Sequence, residues 1–515
     1  MNVAVFADRA MERFGDYDSV VGVSLSGPDT THSSGDLHRT SLRLSSALQR
    51  LGVQPGERVV VMIPNAPEIT ALYAAIARCG AVVLPMPFLL ADGEVRRLLA
   101  DAEPVVVITS AELYGKVSPA ASQVQSVRSV ICIDRPTPDG AIDLEDLLAG
   151  ERAEAELVDR DQSDLALLIY TGGTTGRPKG VMLTHGNLAF AAERAAEVSA
   201  HENDVSHTDI TCSALPLSHT YGVLVWLAGT QLGGRSVLMR WFEPGTWFRC
   251  VEEYRCTISP LVPTMISYLL NHADAATRDM ASLRLVNTGA APLPADVGRA
   301  FEERFGCTVL EGWGLTESVG YGTLNRLGSR KWGSIGRPGP GVEICVHDVS
   351  SWAELPAGEV GEICMRGGHT MAGYWNLPDR TAETLRDGWL RTGDVGYVDA
   401  DGFVFVVDRT EDLIVRGGLN IFPRDVEEVL QTHPAVLEAA VVGVPDHRSR
   451  EQIKAYVVLK SGAEATSDEI LEHCRTHLAG YKAPRSVTFL DALPKSGVGK
   501  VLRRELRDGA AASQA

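Results

Sequence analysis

An α/β protein is what this sequence predicts. A large N-terminal domain of parallel-sheet α/β subdomains, with a small β-rich subdomain, is followed by a small, mobile α+β C-terminal domain. Three observations carry that expectation. Helix and strand patterns alternate through the first third of the chain. From Val342 short strands with Gly and Asp turns replace them. A composition break at 408–412 then precedes a compact unit with its own apolar pattern. At 515 residues the chain is too long for one core, and domains are expected at 1–410 and 411–515.

Taken in order, 37–51 has the period of an amphipathic helix, 58–63 reads as a buried strand, 67–79 as a helix and 81–84 as a strand. A helix near 94–102 and a strand at 104–108 follow. Apolar runs at 236–239, 257–262 and 283–287, each followed by a helical pattern, continue the alternation. The β-rich part shows strands at 361–366, 396–398 and 402–407. Beyond the break we expect a helix at 423–430, strands at 437–444 and 453–459, a helix at 467–477 and a strand at 486–490. The Ala/Ser/Gln tail after Asp508 is expected to be disordered.

Composition excludes several classes. The net charge of −18 disfavours nucleic acid, since polyanions need basic surfaces. From Arg409 onward 15 basic residues balance 15 acidic ones, so the acidic excess lies before that point. No apolar stretch approaches the roughly eighteen residues of a membrane span. The longest run, 223–232, is interrupted by Gly229 and Gln231. Nine scattered cysteines without a Cys-x-x-Cys pair argue against a zinc site or a disulfide framework. The first residues show no basic segment leading into an apolar core, so a cytoplasmic protein is expected.

The most informative segment runs from Tyr170 through Thr171, Gly172, Gly173, Thr174, Thr175, Gly176 and Arg177 to Pro178, Lys179 and Gly180. Glycines let successive N–H groups turn toward one anion, and the threonine hydroxyls and Lys179 add donors, so a polyphosphate is the natural ligand. The loop is not a Walker A sequence, because Lys179 follows Pro178 and is followed by Gly180.

Further segments stand in a fixed order behind it: Gly289-Ala290-Ala291-Pro292, Trp313-Gly314-Leu315-Thr316-Glu317, Arg391-Thr392-Gly393-Asp394, and Asp408-Arg409-Thr410-Glu411-Asp412 running on to Gly417-Gly418. Pro494-Lys495-Ser496-Gly497-Val498-Gly499-Lys500 closes the series. Together these motifs resemble those of the adenylate-forming superfamily of acyl-CoA synthetases, peptide-synthetase adenylation domains and firefly-type luciferases. The resemblance covers nearly everything from residue 37 to Leu506 and lies closest to acyl-CoA synthetases.

That resemblance implies ATP, Mg2+ and coenzyme A as cofactors, and a small carboxylic acid as substrate. Lys500 would contact the α-phosphate and reacting carboxylate, with Lys179 on the phosphates. Thr316 would meet phosphate, and Glu317 would hold the metal ion. Gly289, Ala290, Ala291, Trp313 and Gly314 would surround adenine, and Asp394 and Arg409 the ribose. Glu411 falls at the hinge, and Gly417 and Gly418 either flank the pantetheine tunnel or form a hairpin turn. His219, in Leu215-Pro216-Leu217-Ser218-His219, is either a gate or a packed polar residue. Pocket candidates by family position are His219, Trp226, Thr264, Gly320 and Tyr321.

The sequence departs from the family pattern at Trp313, where Tyr is more common, at Ser218, where Phe is usual, and at Arg450, where Gly is common. Ser449 offers no aromatic ring for the CoA adenine, whereas Arg448 and Arg450 are suited to its phosphates. The expected reaction is acid plus ATP to acyl-AMP and pyrophosphate, then displacement of AMP by the CoA thiol. Rival readings are a ligase that loads a carrier protein, an enzyme that performs mainly the thioesterification step, a luciferase-like oxygenase, and a non-catalytic nucleotide or acyl-ligand binder.

Overall fold

The computed structural model describes residues 1–25, 27–171, 178–410, 412–416, 419–446, 450–494 and 501–512. It divides into two compact units, one of residues 1–343 and 365–390, the other of 344–364 and 391–515.

The first unit holds two large sheets, each with a parallel centre. In the eight-stranded sheet the order is Gly373–Tyr374, Lys179–Thr184, Leu165–Thr171, Val82–Pro85, Arg58–Met62, Val106–Thr109, Ser129–Cys132 and Ile142–Asp143. The last six strands are parallel. Arg-Val-Val-Val-Met at 58–62, Val-Val-Leu-Pro at 82–85 and Val-Val-Ile-Thr at 106–109 are buried almost throughout. Apolar on both faces, they belong in the centre of a sheet covered by helices on each side. Helices Asp92–Ala102 and Ala111–Ala121 supply one cover, with Val60, Leu84, Leu98, Val107 and Val117 in the shared core.

The nine-stranded sheet runs Arg337–Pro338, Thr323–Leu324, Thr308–Trp313, Leu285–Thr288, Ile258–Leu261, Ile210–Ser213, Arg235–Met239, Asp18–Val23 and Thr30–Ser33. Its six strands from 308–313 to 18–23 are parallel. Trp247, Phe248, Phe301 and Phe305 pack into one core beneath it. The apolar run at 223–232 lies largely in the helix Thr220–Gln231.

The structure departs from expectation at a strand of the nine-stranded sheet and at the tail, among other elements. Strand Asp18–Val23 pairs with both Arg235–Met239 and Thr30–Ser33. Its partly exposed burial pattern gave no strong alternation to recognise. Of the tail after Asp508, residues 509–512 continue the helix Arg503–Ala512 where disorder was expected, as befits their alanines, the best helix formers, and residues 513–515 lie outside the described residues.

In the second unit, strands Trp389–Val398 and Val404–Arg409 form an antiparallel pair. A separate five-stranded sheet, Leu419–Ile421, Ile414–Arg416, Arg450–Leu459, Val436–Asp446 and Ser486–Phe489, packs helices Pro423–Gln431 and Ser467–His477. Ile414, Val426, Leu430, Val441, Ile453 and Ile470 form its core. Thr466 and Glu469 cap the second helix reciprocally, which fixes where it starts.

One buried group in the first unit titrates against folding. His185 opens the helix His185–Glu202, is 0% exposed, and accepts the Val3 N–H through Nδ1 at 3.2 Å. Burial, reinforced by the positive charge of Arg160 and of the N-terminus, lowers its pKa to about 4. On acidification the unfolded chain takes up the proton first. Stability is therefore complete above about pH 6.5 and is lost as pH falls toward 4, by up to about 3 kcal/mol. We expect the thermal unfolding midpoint to drop between pH 6.5 and 4.5, and to drop less steeply in His185→Asn, whose amide accepts the same N–H without titrating. Equal slopes in the two proteins would remove His185 as the titrating group.

Candidate active site

Parallel strands place every segment that follows them on one edge of the sheet, where ligands of open α/β sheets bind. Strands Ile210–Ser213, Ile258–Leu261, Leu285–Thr288 and Thr308–Trp313 are neighbours in that order. The segments that leave them contain, in turn, His219, Thr264, Gly289 to Ala291, and Gly314 to Glu317. Three motif segments and the segment of the pocket candidate Thr264 thus form one row.

At its centre the backbones crowd together. A Cβ on Gly289 would lie 2.9 Å from the Gly312 carbonyl oxygen, and Ala290 is held at φ +68. Such a conformation costs of order 1 kcal/mol or more for a residue other than glycine. A Cβ on Gly314 would stand 2.4 Å from the backbone of Gly320, so any other residue at 314 would force the turn open. This turn carries Thr316 and Glu317 in a single 3-10 turn, Thr316–Ser318, closed by the Leu315 N–H on Ser318 Oγ at 2.9 Å. Trp313, half-buried, ends the strand before it and pairs with Thr323.

Glu317 is anchored by two contacts. Its carbonyl accepts the Met371 N–H at 2.9 Å, and its Oε1 accepts the Tyr374 hydroxyl at 2.7 Å. Burial, with the Glu317 charge, pushes the phenol well above its usual range, so it remains a donor. Lys179 opens the strand Lys179–Thr184, directly opposite Thr171 in an antiparallel hairpin. Its Nζ lies 5.1 Å from the Tyr374 ring centroid. Gly172, Gly173, Thr174, Thr175 and Gly176, the loop joining these strands, lie outside the described residues.

His219 is the N-cap residue of the helix Thr220–Gln231, and Tyr221 on that helix donates from its hydroxyl to the Asn287 carbonyl at 3.1 Å. Gly320 packs its backbone against Thr220 and Tyr221. Tyr321 is 3% exposed, its ring edge against His369, so it is packed inside the unit. Trp226 meets the edge of Tyr73 and lines an apolar cavity of about 40 Å³ with Phe6, Ala74, Val223 and Leu227.

In the second unit, Asp394 and Arg409 face each other across paired strands, with Arg409 Nε 2.9 Å from Asp394 Oδ1. Asp394 is 4% exposed, whereas Arg409 keeps 40% of its side chain in contact with solvent. Next to them Asp412 pairs with Arg503 at 3.2 Å and Arg507 at 2.6 Å, and Arg503 also holds Glu427 at 2.8 Å. The helix that follows the Lys500 segment in sequence is thereby tied to the residue that follows Glu411. Glu411, Gly417, Gly418, Arg448, Ser449 and Lys500 lie outside the described residues.

The donor set of the first unit suits a nucleotide and a hard cation. Glu317 offers a half-buried carboxylate of the kind Mg2+ takes, alongside an ammonium for phosphate. The crowded glycine turn presents bare backbone that a flat group can approach closely. Motif reading did not single out Tyr374, which lies between motifs and carries no sequence mark beyond a tyrosine in an aromatic Gly-Tyr-Trp segment.

Residues 7–375 match the AMP-binding enzyme family, and residues 425–500 match the AMP-binding enzyme C-terminal domain. The chain is 35% identical over 499 residues to a long-chain-fatty-acid–CoA ligase of Bacillus subtilis (strain 168), covering 92% of this chain and 89% of that protein. It is 38% identical over 482 residues to a feruloyl-CoA synthase of Amycolatopsis sp, covering 93% and 94%. Among solved structures, ATP-bound MatB from Rhodopseudomonas palustris superposes with a TM-score of 0.90 at 31% identity, covering 99% of both chains. The chain belongs to the AMP-binding enzyme family, the adenylate-forming enzymes, and the two relatives just described are CoA-forming ligases.

Proposed function

We propose that this chain is an ATP- and Mg2+-dependent acyl-CoA synthetase of the AMP-forming type. The observation that carries the reading is the row of strand ends in the first unit, which brings Thr316 and Glu317 beside the hairpin of Lys179. In the first half-reaction a carboxylate oxygen of the acid attacks the α-phosphorus of ATP. The bond to the β-phosphate bridging oxygen breaks, and pyrophosphate leaves. In the second, the CoA sulfur attacks the acyl carbon, the acyl–oxygen bond to AMP breaks, and the thiol proton is lost.

Each residue has a distinct task. Lys179 offsets charge on the departing pyrophosphate, and Thr316 donates to phosphate. Glu317 would hold Mg2+, which when bound neutralises polyphosphate charge. Gly289, Ala290, Ala291, Trp313 and Gly314 receive the adenine, and Asp394 with Arg409 the ribose hydroxyls. Lys500 stabilises the charge that builds at the α-phosphate, where an aimed cation has its largest effect. Gly417 and Gly418 leave room for pantetheine. His219, at the start of the helix Thr220–Gln231, stands beside the acid as a gate or a packed polar residue. We place the domain boundary at 410/411, with Glu411 as the hinge.

The substrate is a small carboxylic acid and the acceptor is CoA; a carrier-protein acceptor is the rival that the assay must separate. Cytoplasmic residence belongs to the same proposal, supported by nine cysteines that are all free and buried. Among the described residues no helix is long and apolar enough to cross a membrane.

Two variants test the division of labour. Lys500→Ala should reduce pyrophosphate release from acid plus ATP about 100-fold or more. AMP release from synthetic acyl-adenylate plus CoA should stay near wild type. An equal loss in both assays would dissociate Lys500 from the first step. Glu411→Pro should do the reverse, because proline fixes φ near −65° and freezes a residue that must change its dihedrals. Undiminished thioester formation by a folded Glu411→Pro protein would take the hinge away from this position. Replacing CoA by a phosphopantetheinylated carrier protein in the second assay identifies the acceptor.

A further inference from the structure

We infer that Tyr374 is a positioning residue that holds Lys179 and Glu317 apart and aimed; this rests on reading these two as the phosphate- and metal-handling groups. The two side chains carry opposite charge and both meet one phenol, Glu317 at its hydroxyl and Lys179 at its ring. The hydroxyl donates to Glu317 Oε1 at 2.7 Å, and the ring lies 5.1 Å from Lys179 Nζ. Lys179 makes no ion pair among the described residues, and Tyr374 is the one side-chain partner of Glu317 there.

The backbone of this tyrosine is fixed to both neighbours. Tyr374 pairs with Val181 and Gly373 with Met182 in the strand that Lys179 begins. The Trp375 N–H donates to the Gly180 carbonyl at 2.7 Å and the Ala372 N–H to the Met182 carbonyl at 2.9 Å. On the other side, the Met371 N–H donates to the carbonyl of Glu317 itself at 2.9 Å. The Tyr374 N–H donates to Thr381 Oγ1 at 2.9 Å, and the side chain is 4% exposed. The segment 371–375 is therefore a spacer of set width between the phosphate hairpin and the Thr316–Ser318 turn.

A direct Lys179–Glu317 pair would neutralise both groups and remove them from their ligands. The phenol holds each only in part. It takes one oxygen of the carboxylate, leaving the other for a cation. It attracts the ammonium through its ring face, leaving the N–H donors for phosphate. One residue thus supplies both orientation and insulation.

The test separates the hydroxyl from the ring. Tyr374→Phe keeps the ring, and Tyr374→Leu removes both. ATP binding is measured by calorimetry with saturating Mg2+ and with EDTA, and Mg2+ dependence by steady-state titration. Tyr374→Phe should raise the Mg2+ concentration for half-maximal activity roughly 10-fold, as expected for losing a hydrogen bond to a charged group, with metal-free ATP affinity unchanged. Tyr374→Leu should also weaken metal-free ATP binding about 3-fold or more and slow amine-reagent labelling of Lys179, followed by mass spectrometry, as the freed ammonium pairs with Glu317. A Tyr374→Phe protein with unaltered Mg2+ dependence, beside a Glu317→Gln protein in which it is severely raised, overturns the proposal alone. Unaltered Mg2+ dependence in Glu317→Gln overturns the reading of Glu317 and the proposal with it. Because Phe fills the same volume, an unchanged melting temperature accompanies the expected result, and the labelling rate of Lys179 gives a second readout independent of turnover.

Discussion

Parallel pairing is the constraint from which the site follows. A parallel neighbour must be reached by a crossover, so successive strands end on the same edge and release their following segments there. In the nine-stranded sheet this happens four times in adjacent positions, at Ser213, Leu261, Thr288 and Trp313. The segments with the least side chain, around Gly289 and Gly314, come from the two neighbouring strands 285–288 and 308–313. Their backbones touch because nothing bulkier separates them. Peptide backbone is thus left bare of side chains at this edge of the sheet.

Charge is arranged on that frame with the same economy. The acidic excess of the chain lies away from the neutral C-terminal stretch, and the groups assigned to phosphate are few. Lys179 and Glu317 meet different parts of one phenol, the ring and the hydroxyl. Where acid and base pair, as Arg503 and Arg507 do with Asp412 and Arg503 with Glu427, they bind the last helix to the turn at Asp412 and to the helix Pro423–Gln431. These paired charges hold structure.

Much of this could be read from the sequence, for identifiable reasons. Central strands such as Arg58–Met62 and Val82–Pro85 announce themselves because burial on both faces demands unbroken valine and leucine. Motif residues announce themselves because glycine and isolated charges are costly unless used, and Thr316, Glu317, Asp394 and Arg409 lie where strands end or pair. Strand Asp18–Val23 was not legible, since its neighbours, not its own pattern, hold it in the sheet. Tyr374 was not legible either. Its meaning lies in Glu317, 57 residues earlier in the chain, and in Lys179 on the adjoining strand. The expectation of a disordered tail failed for residues 509–512, because a terminus is ordered once it is tied down: alanine favours helix, and Arg503 and Arg507 anchor the first turns.

The burial of all nine cysteines has a consequence for selectivity of acyl transfer. An acyl-adenylate is a mixed anhydride, and any accessible thiolate intercepts it. Burial pushes Cys79 and Cys474 up to about 11 and Cys307 up to about 12, so these sulfurs remain protonated as well as enclosed. Thiolate is the nucleophilic form. The folded protein therefore presents no sulfur of its own to compete for the activated acyl group, and self-acylation of cysteine is closed as a side reaction.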